Sequence, residues 1–269
     1  MRFKNLLSAG LVLGLFLSGC GGLEYSPNQS FNGDSPKDIN ARNLQRLAEN
    51  AGDKRIRFVL TGDSQRAYDE AKALVTAVNK IPELDFVVLA GDISDFGLSQ
   101  ELEWVSQIFA KLNVPYIGVI GNHDLVANGE AGFKRMFGEL NYSFVYQGVK
   151  FVCHNTNSRE YKFAGNVPDI GWLQEQFKPE VGVEGWVAIA HVPPGGGDFD
   201  ENLYQPYIKT VNGSPNTLCA LYAHNHSSSV FYPGTQTHIP YIVTDAIEHR
   251  KFKLIEIFEG KVKYEEIVY

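Results

Sequence analysis

Apolar positions recur along the chain as short unbroken runs separated by stripes at helical spacing. Asp85 to Ala90 is such a run and ends in Gly91-Asp92; before it, Arg55 to Thr61 is a short β-branched run that ends in Gly62-Asp63. A third, Val114 to Ile120, ends in Gly121-Asn122-His123-Asp124. Between the first two, Ala71, Leu74, Val75 and Val78 fall on one face of a helix predicted over Tyr68 to Lys80. Before the third, Leu102, Val105, Ile108 and Leu112 form another stripe. Ser99 stands where it would cap that helix, with Glu101 and Glu103 in its first turn. Short continuous apolar runs are strands buried on both faces. Their alternation with helices predicts parallel pairing in a covered sheet.

The second half changes character. Tyr142 to Tyr146 and Lys150 to His154 predict a hairpin about Gln147-Gly148. A helix over Asp169 to Phe177 leads into a strand, Trp186 to Ala190, that ends in His191-Val192-Pro193-Pro194. A strand through Leu218 to Ala223 ends in His224-Asn225-His226. Tyr241 to Thr244, Lys251 to Phe258 and Lys261 to Val268 read as antiparallel strands, the last two turning at Glu259-Gly260. Ile39 to Leu47 reads as a short helix. With no internal repeat and no linker after residue 50, residues 51–269 are one α/β domain, and 44% hydrophobic content supplies one sizeable core.

The N-terminus is separate. Arg2 and Lys4 precede an apolar run from Leu6 to Leu17, followed by Leu17-Ser18-Gly19-Cys20. That run is too short to span a bilayer comfortably, so residues 1–19 read as a signal peptide. The small residues before Cys20 resemble a bacterial lipobox, which implies a lipidated Cys20 as the mature N-terminus. The alternative is an ordinary secretory signal with an incidental cysteine. Residues 20–50, rich in Gly, Ser, Pro, Asn and Asp over most of their length, would tether the body to the membrane. An exported bacterial lipoprotein facing the periplasm or cell surface is the expected location, with Gly21 favouring the outer membrane. The chain carries a formal charge of −7, and loss of Arg2 and Lys4 with the leader makes it more acidic. Such a chain lacks the electrostatic footprint of a nucleic-acid binder. Cys153 and Cys219 lie in apolar runs and read as buried hydrophobes rather than a bridge, although an oxidising compartment would permit one.

Parallel strands deliver their C-terminal loops to one edge of a sheet, where ligands bind. Five such loops here carry Asp63, Asp92, Asn122, His191, and His224 with His226. Alone, a Gly-Asp after a strand is commonly a turn, and a His-x-His is no more than an even prospect for metal. Together they offer carboxylate, amide and imidazole, the ligands of borderline divalent ions such as Mn, Fe or Zn.

As an ordered set, Gly62-Asp63, Gly91-Asp92-Ile93-Ser94-Asp95, Gly121-Asn122-His123-Asp124, His191 and Ala223-His224-Asn225-His226 resemble the successive motifs of the calcineurin-like metallophosphoesterases. The resemblance covers about residues 56–226. It implies two facing mixed β-sheets flanked by helices, a four-layer α/β/β/α sandwich, and hydrolysis of a phosphomonoester or phosphodiester. It implies two divalent ions: Asp92 bridging, Asp63 and His226 on the first, Asn122, His191 and His224 on the second. Ions about 3.5–4 Å apart clamp a phosphoryl group and activate water as hydroxide. His123 would then protonate the leaving oxygen, oriented by Asp95, for which a helix N-cap is the alternative role. Asp124 would be structural or stand behind the ligands.

One position departs from the pattern. Where the family's first motif has Asp-x-His, this chain has Asp63-Ser64-Gln65. Either Gln65 is a weak ligand through its amide oxygen, the reading favoured here, or it stands behind the ligands and the first ion is loosely held. Phe96-Gly97 replaces the Arg-Gly expected of Ser/Thr protein phosphatases, and Asp95 occupies the place of the purple acid phosphatases' ligating Tyr. Arg66 and Arg159 are candidate contacts for an anionic small-molecule or lipid phosphoester, with ordinary surface arginines as the alternative. Gly195-Gly196-Gly197 would form a lip, with Phe199 and Tyr204 available for stacking. The competing function class is a membrane-tethered binding protein on a degenerate phosphoesterase scaffold.

Overall fold

The computed structural model describes residues 31, 33–49, 54–214, 216–234 and 238–269. The expected leader, Cys20 and the first part of the expected tether lie outside the described residues.

The three parallel strands expected of the first half are β1 (Ile56–Thr61), β2 (Phe86–Ala90) and β3 (Tyr116–Val119). They pair side by side, Phe58 beside Phe86 and Val87 beside Tyr116. A hairpin extends this sheet: β10 (Lys251–Phe258) runs antiparallel to β1 and to β11 (Lys261–Val268). The second sheet has the order β4-β5-β6-β7-β9-β8, with β5 (Val149–Cys153), β6 (Gly185–Ile189), β7 (Thr217–Tyr222) and β9 (Tyr241–Val243) parallel. Strands β4 (Tyr142–Tyr146) and β8 (Ser229–Phe231) close its edges antiparallel.

Period-two alternation splits each strand between two cores. Phe58, Leu60, Phe86, Val88 and Ile255 from the first sheet meet Phe151, Cys153, Val187, Cys219 and Leu221 from the second. On the other face of the first sheet, Val59, Val87 and Leu89 pack against α2 (Tyr68–Val78), α3 (Ser99–Phe109) and α4 (Gly129–Met136). On the outer face of the second, Val152, Trp186, Ala188 and Tyr222 meet α5 (Ile170–Gln176) and α6 (Glu201–Gly213). The result is the four-layer α/β/β/α arrangement expected. Helix α1 (Ile39–Ala48) lies against β3, where Asn40 exchanges two hydrogen bonds with the backbone of Gly118, at 2.9 and 2.8 Å.

Two expectations change, and the reading of the cysteines holds. Tyr241 to Val243 does not join the C-terminal hairpin but pairs in parallel with β7 in the other sheet. Strand pairing is decided by the packing of both faces, which a three-residue run does not encode. Helix α3 is preceded by Leu98 rather than capped by Ser99, which is its first residue and is buried. Glu101 does the capping instead, its carboxylate accepting from the nitrogens of Leu98 and Phe96 at 3.3 and 2.9 Å. The two inter-sheet cysteines are free and buried, and burial pushes the Cys153 thiol up to about 12.

Candidate metal centre

The five motif loops converge at the C-terminal edges of the two parallel strand sets. The first two are laced by backbone: Asp63 N donates to Gly91 O at 3.0 Å, and the nitrogens of Ser64 and Gln65 both donate to Asp92 O, at 2.9 and 3.1 Å. Asp63, Asp92, His224 and His226 all adopt left-handed backbone conformations, with φ between 48° and 73°. Such conformations cost about 1–3 kcal/mol each in non-glycine residues and persist where the surroundings enforce them. Two glycines permit the convergence. A Cβ at Gly121 would fall 2.1 Å from the Asp92 carboxylate, and one at Gly91 would fall 2.5 Å from His191 Nδ1.

Two groups of potential ligands result. Asp92, His191 and His224 form one, and Asp63, Asp92 and His226 the other, with ligand atoms within 4.8 Å in each. Asp92 belongs to both. Asn122 joins the group of His191 and His224, its Oδ1 lying 3.1 Å from His191 Nε2 and 3.0 Å from His224 Nδ1. Gln65 lies beside the group of Asp63 and His226, with Nε2 3.4 Å from Asp92 Oδ2.

Each imidazole has one nitrogen tied away from the centre. His191 Nδ1 donates to Ala90 O at 2.7 Å, which turns Nε2 toward Asp92 Oδ1 at 3.2 Å. His224 sends Nε2 to Asp198 Oδ2 at 3.0 Å and Nδ1 inward. His226 sends Nδ1 to Glu248 Oε1 at 3.3 Å and Nε2 to Asp63 Oδ1 at 3.4 Å. A ring nitrogen held by a carboxylate or carbonyl fixes the tautomer and frees the other for a metal.

Charges among these side chains compensate one another. Burial disfavours protonation of His191, but the neighbouring Asp92 carboxylate outweighs it and holds the imidazole up at about 9. Burial likewise opposes ionisation of Asp92, while His191 and His123 bring its pKa below the ordinary value. The hydrogen bond to Asp63 raises His226 to about 9. Burial, and then the charge of His191, lower His224.

The donor set fits divalent cations. The Oε1 atom of Gln65 is buried without a hydrogen-bond partner, and Asp63 Oδ1 has only the loose 3.4 Å contact from His226 Nε2. Orphaned buried oxygens are costly unless something absent from a protein-only arrangement satisfies them, and a cation does so for acceptor atoms.

Beside this centre, His123 Nδ1 lies 2.9 Å from the carbonyl oxygen of Asp95 and 3.4 Å from its carboxylate. Arg66 reaches the same carboxylate at 3.1 Å while remaining largely exposed. Asp95 is not a helix cap. Arg159 is engaged elsewhere, with Asp198 Oδ1 at 2.7 Å and Glu160 Oε1 at 3.1 Å. The glycines 195–197 do line a cavity, of about 790 Å³, together with Phe163, Phe199 and Tyr204. Asp198 and Glu248 went unnoticed in the sequence, because neither stands in a motif or at a spacing that marks a partner of a ligand.

The sequence profile of calcineurin-like phosphoesterases matches residues 56–228, and the chain belongs to that family. The family consists generally of metal-dependent phosphoester hydrolases. Among solved structures the chain is similar to a dimetal phosphatase from Danio rerio, at 16% identity and a TM-score of 0.59, covering 80% of this chain and 99% of that one. It is similar at 15% identity to the purple acid phosphatase PPD1 from seeds of yellow lupin (Lupinus luteus), with a TM-score of 0.58. That match covers 80% of this chain but only 52% of the lupin chain. The protein TT1561 of Thermus thermophilus matches at 13% identity and a TM-score of 0.53, covering 78% of this chain and 98% of that one. At these identities the likenesses establish the fold. No curated protein sequence matches the chain significantly.

Proposed function

We propose that this protein hydrolyses a phosphomonoester or phosphodiester at a dinuclear centre held by Asp63, Gln65, Asp92, Asn122, His191, His224 and His226. The observation that carries the reading is the sharing of buried Asp92 between two ligand groups, which is the arrangement a pair of adjacent cations requires. Two bound divalent ions (Mn, Fe or Zn by the donor types) supply Lewis-acid polarisation of the phosphoryl oxygens and an activated water.

The remaining chemistry falls to the chain's own groups. His123 lies outside both ligand groups, with Nδ1 directed at the Asp95 carbonyl. That contact keeps a proton on Nδ1 and fixes the ring, so His123 acts as the acid in its doubly protonated form, passing the Nε2 proton to the leaving oxygen and ending as the neutral Nδ1–H imidazole. The Asp95 carboxylate, buried beside His123 and Arg66, steadies both. Arg66 projects from there into solvent, where its guanidinium meets a non-bridging oxygen of the incoming anion.

Hydrolysis of nitrophenyl phosphate and bis-nitrophenyl phosphate with added Mn²⁺, comparing wild type with His123→Ala, tests the reading. Metal-dependent turnover of at least one ester, lost in the variant, is expected. No metal-dependent turnover of either would favour a binding protein on the same scaffold. The ratio of the two rates also separates monoesterase from diesterase action.

The N-terminal residues support a membrane setting for this activity. Arg2, Lys4, the apolar run Leu6 to Leu17 and Leu17-Ser18-Gly19-Cys20 resemble a lipoprotein signal, and on that reading a lipidated Cys20 would begin the mature, exported chain. Wild type should sediment with membranes after export, and Cys20→Ala should not.

A further inference from the structure

Asp198 follows the glycine run between β6 and α6, and it touches both a ligand of the centre and a second loop. Its Oδ2 lies 3.0 Å from His224 Nε2. Its Oδ1 lies 2.7 Å from a terminal nitrogen of Arg159, whose backbone N–H also donates to the Asp198 carbonyl at 3.2 Å. Arg159 is braced in turn by Glu160, 3.1 Å from Nε. On the other side of the imidazole, Nδ1 is 3.0 Å from Asn122 Oδ1 and 3.3 Å from His191 Nε2, within the second ligand group.

An imidazole presents a lone pair on only one nitrogen when the other carries a proton. Nε2 of His224 faces the Asp198 carboxylate and Nδ1 the neutral amide oxygen of Asn122, and the charged acceptor, being the stronger, keeps the proton. His224 is partly exposed, and its backbone ties it to the site through one hydrogen bond, from its nitrogen to Asp63 Oδ2 at 3.1 Å. That bond fixes the position of the residue but not the tautomer of its ring. The choice of nitrogen therefore falls to the groups around the imidazole.

We propose that Asp198, clamped by Arg159, is the positioning residue of the second metal site. It holds His224 with Nε2–H outward and Nδ1 toward the ion. This rests on the reading of the centre as dinuclear and adds to it a residue outside the ligand set. It also gives Arg159 a task other than contacting substrate. As an exposed pair, Arg159 and Asp198 would contribute little to folding. The effect therefore belongs in metal affinity, not in the melting temperature of the metal-free protein.

Calorimetric titration with Zn²⁺ of wild type, Asp198→Ala, Asp198→Asn and Arg159→Ala tests the assignment. Asp198→Ala should weaken one of two binding steps by about 10–100-fold and leave the other unchanged. Asp198→Asn, whose amide oxygen still accepts from Nε2–H, should restore most of that affinity, and Arg159→Ala should fall between. Nitrogen-15 NMR of the Zn²⁺-loaded wild type should show His224 protonated at Nε2. Two wild-type affinities in Asp198→Ala, or a His224 protonated at Nδ1 in wild type, would overturn the assignment alone. A wild type that binds fewer than two ions would overturn the dinuclear reading and this inference with it.

Discussion

Asp124 Oδ1 lies 2.8 Å from both the backbone nitrogen and the hydroxyl of Ser94, joining the loop after β3 to the loop after β2. The other oxygen accepts from Gly121 N at 2.9 Å and Ile93 N at 3.3 Å. Asp124 is wholly buried, and burial together with the charge of Asp92 pushes its carboxyl up to about 6 against the pull of these donors. Its task is to hold Asp92 and Asn122 in register.

Replacing Asp124 by Ala leaves up to four donors unsatisfied, three of them backbone N–H groups, and should cost about 2–4 kcal/mol of stability. Asn should do little better, because either oxygen it replaces faces N–H donors and an NH₂ there repels them. Urea unfolding of the three proteins checks this. An Asn variant as stable as wild type would show that the carboxylate is not an obligate acceptor.

Gln65→His should strengthen the weaker metal site. Imidazole binds Zn²⁺ better than a neutral amide oxygen, so the weaker of two Zn²⁺ affinities should rise by about tenfold or more, equivalent to about 1.4 kcal/mol. Unchanged affinities in a calorimetric titration would remove Gln65 from the ligand set.

His123→Ala should lower kcat by about 10²–10⁴-fold while both metals still bind. Asp95→Ala should cost less in kcat, because the 2.9 Å contact to His123 Nδ1 is made by the Asp95 carbonyl, which survives. It should raise KM, since Arg66 loses its anchor. Steady-state kinetics separate the two; equal losses of kcat would place the orienting role on the carboxylate.

His154 should make the fold sensitive to acid. It is fully buried, with Nδ1 on Val152 O at 3.1 Å and Nε2 on Tyr207 Oη at 2.9 Å, and burial depresses its pKa to about 4. The neutral form is favoured in the fold. Its stabilisation is thus complete above an unfolded pKa of about 6.5 and declines as pH falls toward 4, by roughly 3 kcal/mol. Urea unfolding of chelator-treated protein at pH 7 and pH 4.5 checks this. The stability lost between the two pH values should be about 2–3 kcal/mol smaller in His154→Gln than in wild type. Parallel pH dependence in the two proteins would contradict it.

How much of this was legible depended on length of pattern. Strands β1, β2 and β3 announced themselves because each is a mostly apolar run ending in a Gly-Asp or Gly-Asn turn. Helix α6 did not, since Pro206 interrupts it and a glycine run precedes it. Helix α4 begins at a glycine, and β8 has three residues, too few to show a period; β9 was legible as a strand but not in its pairing. At the centre, the inward-facing groups were readable because chemistry restricts a ligand to a few residue types. Asp198 and Glu248 were not, because any exposed loop acid looks the same until the fold sets it against an imidazole. The position of Arg159 was equally hidden: its partner lies 39 residues away and meets it only through packing of two loops.

The central claim is that one buried carboxylate, Asp92, serves two cations. Calorimetric titration of the metal-free protein with Mn²⁺ tests it most directly. Two binding events of unequal affinity are predicted in wild type, and both should weaken severely in Asp92→Ala, whereas His226→Ala should impair only one. A single site in wild type, or an Asp92→Ala variant that retains one site at full strength, would contradict the account.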